Sequence, residues 1–298
     1  MTDILERVIS QSGSFFGIAC NTTELVTRAC AMHDVGPVAA VALGRALTGA
    51  ALLAAILKDG QSLQLKFEGN GPLGKIITEA GYDGWVRGYV ANPHAEVPLK
   101  NGSIDVASGI GKAGFLTVIK DIGHNKKYPG TIQLYTSEIG EDLAYYLSTS
   151  EQTPSAIALT MLVNSDASIT AAGGFLIQSL PPAEENSLSH IEKEINRLPS
   201  PSQFFLDGKS PGDILAALFK NVPHKKTGQK KLFYSCSCNK TKMESALYSL
   251  GYEELSQLLE KEGRAEVHCQ FCRDNYIFNR HELESILEAG PAGKTDPS

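Results

Sequence analysis

The sequence predicts an α+β chain in three parts: an N-terminal α/β domain with β-sheets and a long buried helix, a helical linker region, and a small cysteine-bearing C-terminal unit. Three observations predict it. The 298 residues exceed the usual size of one domain, and 42% of them are hydrophobic, enough for a sizeable core. An alanine-rich apolar run over 38–57 lies among segments in which apolar and polar residues alternate. Six cysteines divide unevenly: Cys20 and Cys30 lie early, while Cys236, Cys238, Cys269 and Cys272 lie near the C-terminal end. That placement argues against a secreted disulfide framework. A net charge of −6 argues against a general polyanion binder, and the composition against a mostly disordered chain.

Residues 1–180 read as the first domain. Acidic residues stand at the N-terminus where a signal peptide carries basic ones, so the protein is expected to be cytoplasmic, with its thiols reduced. Phe15–Cys20 is a strand, and Thr22 or Thr23 caps a helix through Met32. Pro37 suits the first position of a long helix ending near Lys58. Arg45 sits near the middle of its apolar run and would cost about 2.5–3.5 kcal/mol in a bilayer. A buried helix is therefore expected rather than a membrane span. Its Ala40, Gly44 and Thr48 recur every four residues, so another element should approach it closely. A β-rich stretch follows, with Leu63, Leu65 and Phe67 alternating, Trp85–Val90, Phe115–Ile119, and Ile132 with Leu134. Ser137 caps a helix through Glu141–Leu147, another helix is expected just after Pro154, and Gly173–Ile177 closes the domain as a strand.

Pro181-Pro182 marks a boundary, and 181–231 reads as a helical linker region. Ile191–Leu198 looks helical, and Ser210-Pro211-Gly212-Asp213 starts a short helix with Ile214, Leu215, Leu218 and Phe219 on one face. So short an amphipathic helix persists only when docked. Residues 221–231 are basic and polar. The last unit, 232–288, has a Thr241…Glu244 capping box, a helix from about Glu253 to Gly263, β-prone Ala265–Val267 and Tyr276–Phe278, and an Asn279…Glu282 helix start. Residues 289–298 read as a frayed tail. Fewer than sixty residues bury little apolar area, and such a unit usually needs a staple.

The staple is legible. Cys236-x-Cys238 and Cys269-x-x-Cys272 supply two pairs of sulfurs on two turns, which together make the tetrahedral four-sulfur site that Zn²⁺ prefers. One Zn²⁺ per chain is expected there. Ferredoxin spacings are absent, which disfavours an iron–sulfur cluster. His268 is a possible substitute ligand, more simply read as a strand residue beside the site. The C-x-C half is unusual, because cysteines one residue apart can also close a strained, labile disulfide. Thiolates are what peroxide or hypochlorous acid attacks. Oxidation of either pair removes two ligands, releases the metal and unfolds 232–288, since the metal's binding energy is folding energy. Cys20 and Cys30 read as buried free thiols. Two glycine patterns, Gly69-x-Gly71-x-x-Gly74 and Gly109-x-Gly111-x-x-Gly114, match a dinucleotide fingerprint but lack the required helix and read as turns. No nucleophile–base arrangement suggests an enzyme. A nucleic-acid-binding zinc module using the basic 224–231 stretch is the alternative reading. A thiol–disulfide oxidoreductase on Cys269-x-x-Cys272 would need a thioredoxin-like setting that this context does not offer.

Gly140–Leu147 with Ser150-Glu151-Gln152, Ala172-Gly173-Gly174-Phe175, Arg87-Gly88-Tyr89-Val90, the His33…Leu43-Gly44-Arg45 stretch and the ordered cysteine pairs carry a resemblance over nearly the whole chain. The sequence resembles the redox-regulated heat-shock chaperones of about thirty-three kilodaltons, which are cytosolic holdases of the stress response. The resemblance implies zinc on Cys236, Cys238, Cys269 and Cys272 in an inactive reduced form. It implies that oxidation forms Cys236–Cys238 and Cys269–Cys272 disulfides and releases zinc. The zinc unit and the 183–231 region would then lose structure, and a homodimer would bind unfolding clients without ATP, with neither nucleic acid nor membrane as partner.

Overall fold

A computed structural model describes residues 2–124, 126–164, 168–181, 193–197 and 201–289. The chain divides into two compact units, Met1–Ser235 and Cys236–Ser298. The architecture is mixed α+β, as the sequence predicts.

In the first unit, β1 (Ile4–Ser10) and β2 (Phe15–Asn21) form a hairpin. Helix α1 (Thr23–His33) follows without a side-chain cap from Thr22. Its first N–H groups, from Glu24 and Leu25, donate instead to the Asp3 carboxylate at 3.1 and 2.6 Å. Helix α2 (Pro37–Ala54) starts on proline and ends four residues before Lys58, earlier than expected. It packs on β3 (Ser62–Gly69), β4 (Lys75–Gly81) and β5 (Trp85–Val90), and on strands of the β1–β2 sheet. By length and composition α2 could cross a membrane, yet 89% of it is buried in the protein. Arg45 reaches Glu138 at 2.8 Å.

Helix α3 (Val106–Ile110), β6 (Gly114–Asp121), β7 (Lys127–Gln133) and α4 (Ile139–Thr149) come next. Residues 155–163, expected to begin a helix, form strand β8 (Ser155–Val163), paired antiparallel with β9 (Ile169–Ser179). Ala156, Leu159 and Met161 favour a helix, but pairing with β9 and packing against α4 and α2 override that weak preference. The small-residue stripe of α2 receives this strand. A Cβ on Gly44 would overlap the Met161 sulfur, and Thr48 Oγ1 lies 2.7 Å from Thr22 Oγ1.

The two glycine patterns meet each other. Gly71 N–H donates to Ile110 O at 2.8 Å and Leu73 N–H to Gly109 O at 3.0 Å, and a Cβ on Gly71 would overlap the facing backbone. Close backbone approach, not phosphate binding, requires these glycines. Glu151, in the Ser150-Glu151-Gln152 motif, accepts from Lys120 at 2.6 Å and Tyr146 at 2.7 Å.

Among the described residues of 181–231, residues 193–197, α5 (Pro201–Leu206) and α6 (Pro211–Leu218) are helical. Ser210 and Asp213 make the expected capping box. The expected helix at 191–198 lies partly outside the described residues. The region is not wholly helical: its basic end forms strand β10 (His224–Lys231), joined to β1. The short β11 (Phe233–Tyr234) then pairs parallel with β5. The five-stranded sheet thus runs β10-β1-β2-β9-β8, and the six-stranded sheet β11-β5-β4-β3-β6-β7. Strand β2 is buried on both faces. Phe16, Ile18 and Cys20 join the α2 core, while Phe15 and Ala19 face Ile214, Leu215, Leu218 and Phe219 of α6 and its C-cap. Gly17 lets α6 approach, since a Cβ there would sit 2.7 Å from the Phe219 ring.

The second unit holds α7 (Lys240–Tyr248), α8 (Tyr252–Lys261), the hairpin β12 (Arg264–His268) with β13 (Asn275–Asn279), and α9 (Arg280–Ala289). Asn239, not Thr241, caps α7, accepting from Lys242 N–H at 2.9 Å. The expected Asn279–Glu282 pair caps α9 reciprocally at 3.0 Å each way. The buried core is Leu247, Leu255, Ala265, Phe278, Leu283 and Ile286.

Candidate metal centre

Two turns carry the thiols. Cys236 and Cys238 lie before α7, where Lys242 Nζ donates to Ser237 O at 2.7 Å and to Ser237 Oγ at 3.0 Å, fixing the Cys-Ser-Cys bend. Cys269 and Cys272 lie in the turn between β12 and β13. There Cys269 N–H donates to Asp274 O and Arg273 N–H to Cys269 O, both at 2.9 Å, with Arg273 left-handed at φ 64°. All four sulfurs lie within 4.8 Å of one another. Cys236 Sγ is 3.7 Å from Cys269 Sγ, and Cys238 Sγ is 3.1 Å from Cys272 Sγ.

That set fits a tetrahedral metal. Four thiolates at about 2.3 Å from one ion stand about 3.8 Å apart, so the Cys236–Cys269 spacing matches and Cys238–Cys272 needs to open by less than an ångström. Soft sulfur ligands in this geometry suit zinc or iron–sulfur chemistry rather than hard cations.

Tyr276 Oη donates to Cys238 Sγ at 3.2 Å, a contact no spacing rule announced. Burial pushes the Cys238 thiol up, but hydrogen bonds from Tyr276 and its three neighbouring thiols outweigh it and hold it below its ordinary value. Burial, reinforced by Cys238, pushes the Cys272 thiol up. His268 stands outside the cluster, its Nε2 3.8 Å from Glu266. Cys20 and Cys30 lie in the first unit; burial raises the Cys20 thiol strongly and Cys30 to about 12, so both are inert at neutral pH.

The family model described as "Hsp33 protein" matches residues 3–279. The 33 kDa chaperonin of Desulfotalea psychrophila is 61% identical over 97% of this chain and 98% of its own length. That of Geobacter sulfurreducens is 46% identical over 97% and 96%. The crystal structure of the Thermotoga maritima 33 kDa chaperonin, a heat shock protein 33 homologue, superposes with a TM-score of 0.87 at 37% identity, covering 96% of this chain and 98% of that one. Two sheets packed on one long helix, followed in the chain by a four-thiol unit, are thus the architecture of a heat-shock chaperone. The chain belongs to the Hsp33 family.

Proposed function

We propose that the protein is a redox-regulated, ATP-independent holdase. In the reduced state Cys236, Cys238, Cys269 and Cys272 hold one Zn²⁺ per chain. The bound ion would keep all four sulfurs as thiolates and staple the two turns together. Oxidation closes Cys236–Cys238 and Cys269–Cys272. For each disulfide two thiolates give two electrons to one peroxide, which takes two protons from solvent and leaves as two waters. The observation that carries this reading is four thiols within 4.8 Å on a unit whose buried core is six side chains.

We assign 1–180 as the core domain, 181–231 as the linker region, 232–288 as the redox-switch unit and 289–298 as a tail. Loss of the thiol site releases the linker. Its α6 helix then exposes Ile214, Leu215, Leu218 and Phe219, with Phe15, Phe175 and Ile177 beneath them, as apolar surface for unfolding clients. The active form is a cytoplasmic homodimer without catalytic residues and without nucleic-acid or membrane partners. The basic 224–231 stretch, the basis of the nucleic-acid alternative, is a strand with Lys226 paired to Glu6 at 2.7 Å.

The test treats zinc-loaded protein with peroxide at elevated temperature, following zinc release, thiol count and aggregation of heat-unfolded citrate synthase. The expected result is release of one zinc, loss of four thiols and suppressed aggregation. Oxidation with zinc release but unchanged aggregation overturns the holdase reading.

A further inference from the structure

We propose that the outward main-chain edge of β1 is a strand-pairing site for an extended segment of an unfolding client, in the place that β10 holds while the thiol unit is intact. The proposal rests on the holdase reading and assigns it a contact surface.

Strand β1 lies between β2 and β10, with β10 outermost in the five-stranded sheet. The β1–β10 register runs antiparallel from Ile4↔Lys231 to Ser10↔His224, with an irregularity between Arg7 and Val8. None of the eight side chains of β10 is buried, although its partner buries Leu5 and Val8. Main-chain hydrogen bonds, the Lys226–Glu6 pair, the Lys230 ammonium on the Tyr82 carbonyl and the His224 ring, 5.3 Å from the Phe219 ring, hold it. A strand that supplies backbone and almost no side-chain packing can be replaced by any backbone. That indifference to sequence is what a binder of unfolded chains requires, and strand addition is an established way to obtain it. The lysines Lys225, Lys226 and Lys231 also blunt the outer edge of β10 against association while it is in place.

The surroundings favour an apolar client. Val8 belongs to the same cluster as Phe15, Ala19, Phe175 and Ile177, which α6 covers through Leu215 and Phe219. A strand added to β1 after α6 leaves would pair its main chain with the edge and lay alternate side chains on that face. Release begins at the Cys236 end and first has to draw the buried Leu232 and Tyr234 out of the α2 core. Cys236 directly follows Ser235, whose N–H donates to Val86 O at 3.2 Å, and β11 pairs only two residues with β5. Beyond it Leu232 N–H donates to Asp3 O at 3.0 Å, and β10 begins. Disorder arriving at Cys236 therefore peels the chain toward the β1 edge.

Hydrogen exchange on the full chain tests this in three states: zinc-loaded reduced, oxidised, and oxidised with urea-unfolded citrate synthase. The Ile4–Ser10 amides directed at β10 are expected to exchange slowly, then about 100-fold faster, then slowly again with client bound, while the alternate β1 amides paired with β2 and the β9 amides stay protected throughout. A valine-rich decapeptide should bind the oxidised protein about tenfold more tightly than the same peptide N-methylated at alternate residues, because methylation removes the ladder donors. Unchanged protection of β1 on oxidation overturns the proposal. So does equal affinity for the two peptides while aggregation is still suppressed, and that outcome leaves the holdase reading standing. Loss of aggregation suppression itself overturns the holdase reading, and the strand site with it.

Discussion

The first unit buries apolar side chains along the whole of α2 and on both faces of β2, whereas the second buries Leu247, Leu255, Ala265, Phe278, Leu283, Ile286 and little else. One unit is held by packing and survives local damage. The other brings four thiols within 4.8 Å of one another, and under the proposed function its order depends on what those sulfurs bind. The difference teaches how one chain holds a stable body and a conditional one. Stability proportional to buried area is hard to switch, while stability concentrated in four reactive atoms is lost when those atoms change chemistry.

Chelation tests the contrast most severely. Removing zinc from reduced protein should cost the second unit the ~10–16 kcal/mol that structural zinc contributes in comparable peptides. Protection of α7 to α9 amides should disappear while those of β3, β4 and β6 remain. Retained protection in the second unit would break the comparison.

A matched pair of core truncations sharpens it. Phe278→Ala should remove about 3–5 kcal/mol from the second unit, and because metal binding and folding are one equilibrium there, zinc affinity should fall by about a hundred- to several-thousand-fold. Leu65→Ala should cost about 2–5 kcal/mol in the first unit and leave zinc affinity unchanged. Competition with a chromophoric chelator, run beside thermal melts, separates the two. Equal affinities in both variants would show that the small core contributes nothing to the site.

The smallest expected effect lies in the first unit. Burial lifts the Asp3 carboxyl from 3.8 to about 6, against the pull of the Leu25 and Glu24 N–H groups. The folded protein therefore holds that proton more tightly than the unfolded chain. Its contribution is fully present below about pH 4, falls as pH rises to about 6, and is level above that. The change should be of order 1–2 kcal/mol after allowing for solvent screening. Denaturant melts of Asp3→Asn should lack this slope and keep the acid-independent part of the curve.

The four-thiol cluster was legible in the sequence because such a cluster depends on a few residues at fixed spacing. Cys236, Cys238, Cys269 and Cys272 needed only their numbers, and the Ser210–Asp213 box announced α6. The long α2 helix declared itself through length and composition. Features that depend on partners far along the chain stayed hidden. Residues 155–163 have helical preferences that pairing with β9 overrides. Strand β10 lacks apolar periodicity because it buries none of its side chains, and β1 mixes Glu6 and Arg7 among its apolar residues. The cap on α1 comes from Asp3, twenty-one positions before Glu24, and no local rule reaches that far. Tyr276 contacts Cys238 because a hairpin brings it there, not because of its spacing from Cys272.

The pairing of Ile4 with Lys231 has a consequence for synthesis. Strand β1 leaves the ribosome before the rest of its sheet, and its outer partner is translated more than two hundred residues later. At about 5–20 residues per second, the nascent edge waits roughly 10–45 s for β10. Until then each new molecule presents the β1 edge that the finished one keeps covered.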